Sequence, residues 1–202
     1  MYIISQNTFL YLGILACLCK SKIIFFNVFM KYKKINYYEL KEEFIRFIFN
    51  VYIFGILSKV YFPLTIAWGE HVNYRPPVII LNPVESLIMI FNKSGIDGFT
   101  YNILGNLLLL VPMGCFIYYY YRNKINNYKS IMAIPFLISL FIECSQLILS
   151  LLFPNVVRYF EVNDLLLNTI GGIMGYILAR VILAVEYYLK EFFEGWYTSE
   201  MN

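Results

Sequence analysis

Charge is scarce in this chain: only 14% of its 202 residues are Asp, Glu, Lys or Arg, and histidine occurs once, at His71. The lone imidazole has no ligand partners near it in sequence. The four cysteines, Cys17, Cys19, Cys115 and Cys144, form no CxxC pair. Neither a zinc site nor any other metal or cofactor is therefore expected. All four thiols fall inside apolar runs, where free cysteine behaves as a small hydrophobe. No Lys or Arg precedes Lys20, so the basic start of a cleaved signal peptide is missing and the first apolar run is expected to be retained as a span. No internal repeat and no low-complexity linker is present.

Apolar side chains are abundant instead. They make up 60% of the chain, aromatics 19%, and the mean hydropathy is +0.63. This excludes a soluble domain, because several runs approach the ~20 residues that cross ~30 Å of hydrocarbon. The expected fold is all-α: a polytopic transmembrane bundle of about five spans with a partly embedded outer loop. The spans are drawn at Ile3 to Cys19, Phe44 to Trp68, Phe99 to Tyr121, Ser130 to Leu152 and Asp164 to Leu183. Residues 1–98 then hold the first spans with a basic connection and an outer loop, 99–185 a core of three transmembrane helices, and 186–202 an amphipathic cytoplasmic tail.

The net charge of +3 does not point to nucleic acid, because the basic residues sit between the apolar runs. The first connection carries Lys20, Lys22, Lys31, Lys33, Lys34, Lys41 and Arg46, and the third Arg122, Lys124 and Lys129. The second and fourth hold only Arg75, Lys93 and Arg158. The positive-inside rule places the N-terminus outside and the C-terminus in the cytoplasm of a multi-pass cell-membrane protein. Trp68, Tyr118 to Tyr121, Tyr187 and Tyr188 fit aromatic belts. The run from Val78 to Phe91, broken by Asn82, Pro83 and Glu85, is too short to span and is expected to be interfacial or re-entrant.

Polar residues inside the spans are the chemically informative ones, since embedding them in lipid is costly. Asn102 and Asn106 share a face of span three at i,i+4. Glu143 and Gln146 share a face of span four, roughly 8 to 13 Å below its outer edge. Asp164 and Asn168 open span five. With the topology taken from lysine counting, all three pairs fall in the outer half of the membrane. Arg158, in the short connection before Asp164, is the expected cationic partner, and its planar fork suits carboxylate or phosphate. Gly171 and Gly175 form a GxxxG that permits close helix approach, and Pro112 is expected to kink span three below Asn106. The plain alternative is that the embedded polar groups are interhelical hydrogen-bond glue.

At these residues the chain resembles the VanZ-like family of bacterial integral membrane proteins. The resemblance rests on Asn102-Ile-Leu-Gly-Asn106, Val111-Pro-Met-Gly114 and Ile142-Glu143-Cys-Ser-Gln146, then Arg158 ahead of Asp164-Leu-Leu-Leu-Asn168 and the glycines to Gly175. Pro83 stands where the family has an apolar-Pro-Phe segment, with Val84 in place of Phe. The resemblance implies a cell-envelope protein whose named member is associated with resistance to teicoplanin, a lipidated glycopeptide. It supplies no mechanism.

Two functions compete. The first is binding, without chemistry, of an amphiphilic ligand in the outer leaflet, through Asn102, Asn106, Glu143, Gln146, Arg158, Asp164 and Asn168. The ligand would be a lipoglycopeptide or a lipid-linked wall precursor, with membrane lipids as the other partners. The second is a membrane-embedded enzyme on a lipid-linked cell-wall precursor or lipid head group, with Glu143 as general acid or base, Arg158 stabilising anionic charge, and Asp164 beside them. The absence of a Ser/His pair or phosphate loop among the embedded residues weighs against it. A transporter with five spans and no duplication would need to oligomerise.

Overall fold

Lipid offers no partner to backbone N–H and C=O groups, so apolar runs of this length satisfy them internally as helices. The computed structural model describes residues 2–31, 37–66, 76–125, 127–153 and 155–200. Lys33, Lys34, Trp68, His71 and Arg75 lie outside them. Among the described residues, four helical stretches are long and apolar enough to cross a membrane: Tyr38–Tyr61, Pro83–Tyr121, Tyr128–Leu152 and Val162–Glu194. The fold is all-α and polytopic, with four three-residue strands among the described residues as accessories.

The chain divides into two units, the first comprising Met1–Val78 and Ser145–Tyr159. Strand β1 (Tyr2–Ile4) pairs antiparallel with β2 (Leu64–Ile66), Ile3 opposite Thr65. The run expected to span from Ile3 therefore opens as a strand. Helix α1 (Gln6–Lys31) begins after Ser5, whose Oγ accepts the Thr8 N–H at 3.1 Å and satisfies an otherwise orphaned donor. Helix α2 (Tyr37–Tyr61) packs on α1. It stops before Phe62 and Pro63, short of the expected end, because the residue before proline is steered out of the helical region. Phe9 stacks on Phe62 at 4.3 Å between ring centroids, and the Ser58 hydroxyl donates to the Gln6 carbonyl at 3.0 Å.

The second unit comprises Ile79–Cys144 and Phe160–Asn202. Strands β3 (Val78–Ile80) and β4 (Tyr159–Glu161) pair. They precede α3 (Pro83–Leu109) and α6 (Val162–Glu200), while α4 (Val111–Tyr121) and α5 (Tyr128–Leu152) lie between. Asn82 caps α3, its Oδ1 accepting from Val84 N–H at 3.0 Å and Glu85 N–H at 3.4 Å, with Pro83 where a missing N–H costs nothing. The broken run at Val78 to Phe91 is thus a strand and the first turns of a helix leading into span three. The bend lies at Gly95, whose φ of 62° and ψ of −166° are accessible to glycine. A second interruption, at Leu110, separates α3 from α4, and Pro112 sits in the first turn beyond it.

Burial runs in the order lipid dictates. Helix α5 buries Ser139 and Glu143, while Leu137 is 58% and Phe141 69% exposed. Helix α6 packs along both α3 and α4 because glycines remove the side chains between them. A Cβ at Gly171 would collide with the Leu107 carbonyl, one at Gly175 with the Val111 carbonyl, and one at Gly114 with the Gly172 carbonyl. The GxxxG face of α6 is therefore in backbone contact with its neighbour. Leu107 meets Gly171, Val111 meets Gly175, and Gly114 lies between Gly172 and Tyr176, so positions rise together and α6 runs parallel to α3 and α4.

Candidate functional site

The polar residues of the second unit collect at the start of α6. There the chain reads Glu161-Val-Asn-Asp164, and Asp164 and Asn168 share a face one turn apart. The Asn106 side-chain amide donates to Asp164 Oδ1 at 2.5 Å. The Ser86 hydroxyl donates to Glu161 Oε2 at 2.5 Å, and Asn163 Nδ2 to the Pro83 carbonyl at 2.8 Å. Glu143 reaches in from α5, 2% exposed, and its Oε2 accepts the Glu161 backbone N–H at 3.3 Å. Ser139, one turn from Glu143, donates to the Leu165 carbonyl at 3.2 Å.

Three carboxyl groups therefore share one neighbourhood, with Asp164 and Glu161 close enough to act electrostatically on Glu143. Ionised carboxylates offer about four acceptor directions each, and the donors that meet Glu143 and Glu161 are one backbone N–H and one hydroxyl. Neither is ion-paired with a described residue of this unit. Two further acceptors lie in the same helices: Asn102 Oδ1 and Asn168 Oδ1 are buried with no hydrogen-bond partner. Asn168 is only 1% exposed. An acceptor shut away from water and left unbonded costs about 1–3 kcal/mol, so it is a place where a donor-bearing group is favoured. Among the described residues, no group of His, Cys, Asp and Glu has metal-holding geometry.

The other two expected site residues lie in the first unit. Gln146 Nε2 donates to the Val60 carbonyl at 3.1 Å, beside a Tyr61–Ser145 hydroxyl pair at 2.7 Å. The bond ties the end of α5 to α2, as interhelical glue would. Arg158 is held by its backbone: its N–H donates to Ser150 Oγ at 2.8 Å, and the same hydroxyl donates to its carbonyl at 3.3 Å. Its guanidinium has no ion-pair partner among the described residues of this unit, its Nε is buried unbonded, and burial holds its pKa below the usual range.

Five of the seven expected residues, Asn102, Asn106, Glu143, Asp164 and Asn168, thus belong to one unit, and Asn106 bonds Asp164 directly. Sequence reasoning passed over Ser86, Ser139 and Asn163. Asn163 carried a signal, since it adjoins Asp164 at a span start. Ser86 did not, because it lies in the broken run assigned to the interface.

A family model described as VanZ/LLP1 matches residues 49–183. The match covers α3, α4, α5 and both ends of the polar cluster. No curated protein and no solved structure matches the chain.

Proposed function

The chain belongs to the VanZ/LLP1 family, and from that premise we propose that this multi-pass membrane protein binds an amphiphile in the outer leaflet and leaves it chemically unchanged. The ligand's polar head meets the cluster of Glu143, Asp164, Asn168, Asn102 and Asn106, while its tail stays in lipid. The cluster offers acceptors in excess of donors, so it favours a head bearing hydrogen-bond donors or an ammonium group over a phosphate. One observation carries this reading: Asn168, 1% exposed, keeps its side-chain oxygen unbonded one turn from Asp164. Structural glue uses its hydrogen bonds, as Gln146 does with Val60.

A lipoglycopeptide or a lipid-linked wall precursor has the required form, and sequestering the former would reduce drug access to its target. The orientation proposed from the lysine distribution, with the N-terminus outside, puts the start of α6 on the outer side. Arg158 and Gln146 remain separate candidates in the first unit. Expression in a susceptible host, with teicoplanin and vancomycin compared, tests the proposal. The expected result is a raised inhibitory concentration for the lipidated drug alone. Equal values with and without the protein for both drugs would count decisively against it.

A further inference from the structure

Helices α4 and α6 touch where Gly114 and Gly175 remove side-chain bulk. One turn on, Tyr118 and Tyr176 meet edge to face at 5.0 Å, and the Tyr176 hydroxyl is anchored by donating to the Ile125 carbonyl at 3.0 Å. Beside this ring pair lies a cavity of ≈490 Å³, lined among others by Tyr118, Arg122, Arg180, Glu186, Tyr187 and Lys190.

Its charge is unbalanced. Three basic side chains face it against one carboxylate, Glu186. Lys190 is engaged by Glu194 at 3.7 Å, whereas neither Arg122 nor Arg180 is ion-paired with a described residue. The two guanidinium groups come from different helices, one from the end of α4 and one from a turn past Tyr176 on α6. Planar forks lining one cavity from two helices suit the tetrahedral oxygens of phosphate, and the lining tyrosines carry hydroxyl donors. Arg180 lies 16 residues beyond Asp164 on one helix, about 24 Å along its axis, so the cavity sits near the opposite face of a ~30 Å hydrocarbon layer from the carboxylates. Leu183 and Ala184 complete the wall, and Leu178, Val181 and Ile182 are exposed on α6 just before it. That surface offers acyl chains a track beside the head group.

We propose that this cavity is a head-group site for an anionic phospholipid, whose phosphate bridges Arg122 and Arg180. It is separate from the acceptor-rich cluster and takes a head of opposite charge. A soluble phosphate compound shares the head-group chemistry but would make no use of the apolar track.

The test is native mass spectrometry on the delipidated full chain, titrated with phosphatidylglycerol, phosphatidylcholine or glycerol phosphate. Phosphatidylglycerol is expected to be retained over phosphatidylcholine, and glycerol phosphate at equal concentration is expected not to displace it. Arg122→Gln and Arg180→Gln should each lower phosphatidylglycerol retention about fivefold, the effect of removing one cation near a lipid surface. Phosphatidylcholine retention and the lipid-free melting temperature should not change. Lys124→Gln, an exposed cation outside the cavity, should leave retention as it was. Wild-type retention in both arginine variants would overturn the proposal. So would an equal loss in Lys124→Gln, which means diffuse surface charge, or displacement by glycerol phosphate, which means a soluble anion.

Discussion

Asn106 donates its side-chain amide to Asp164 at 2.5 Å, so the last polar residue of α3 and the carboxylate in the first turn of α6 form one linked pair. The bond lies at the near end of the helix contact that continues through Gly171 and Gly175. Polar pairing and close packing thereby fix the same two elements.

Removing the donor should be costly because it takes a short hydrogen bond from a part-buried carboxylate. Asn106→Leu is expected to destabilise the protein by about 1–3 kcal/mol, read as a lowered unfolding midpoint in detergent. Adding Asp164→Leu should recover part of that loss, since removing both partners is milder than removing one. A double variant that is additively worse would refute the pairing.

The glycines give a sharper contrast. A methyl at Gly171, Gly175 or Gly114 meets a backbone carbonyl of the neighbouring helix, which cannot swing aside as a side chain would. Each Gly→Ala change is expected to cost about 1–3 kcal/mol or more. Gly55, in the middle of α2, has nothing within 4 Å of its would-be Cβ. There the same change should be neutral or stabilising by about 0.5–1 kcal/mol. Thermal unfolding of the four variants side by side checks this.

Asn168 separates a binding site from glue. Its buried oxygen is unbonded, so Asn168→Leu should preserve or raise membrane abundance and the melting temperature, while the teicoplanin phenotype falls. Glu143→Gln retains an acceptor for the Glu161 N–H but removes the charge, and should also lose phenotype at unchanged abundance. Parallel loss of abundance and phenotype in both variants would mean that the cluster is structural.

Arg158 carries a charge that burial disfavours. A basic group whose folded pKa lies below its unfolded value costs stability at every pH where it is charged, and the cost is relieved only as pH rises through the folded value. Arginine stays protonated at neutral pH, so this residue should add no slope to stability between about pH 6 and 8. Arg158→Met keeps the apolar stem and should melt no lower than wild type, whereas Arg158→Ala loses packing and should melt lower. Equal losses in the two variants would show that the charge itself is needed.

Much of the fold was legible because run length and hydropathy act locally. A span needs only enough consecutive apolar residues, and Tyr128–Leu152 falls within two residues of the expected Ser130 to Leu152. The ends that shifted were governed by contacts distant in sequence or by local geometry. Ile3 became a strand because Thr65 lies opposite it. Helix α2 stopped early at Pro63, and the run before Phe91 joined span three because Gly95 permits a bend.

The candidate site divides along the same line. The spacing of Asn102 with Asn106 and of Asp164 with Asn168 already placed each pair on one helical face, since 3.6 residues per turn is a property of the backbone. Which pair meets which is not written in any one helix, because it depends on how neighbouring helices approach and turn. The fold bonded Asn106 to Asp164, gave Gln146 to Val60, brought Ser86 to Glu161, and left the Asn168 side-chain oxygen buried and unbonded. Periodicity is a local quantity, while hydrogen-bond partnership and the cost of leaving a group unsatisfied arise only when separate elements enclose the same space.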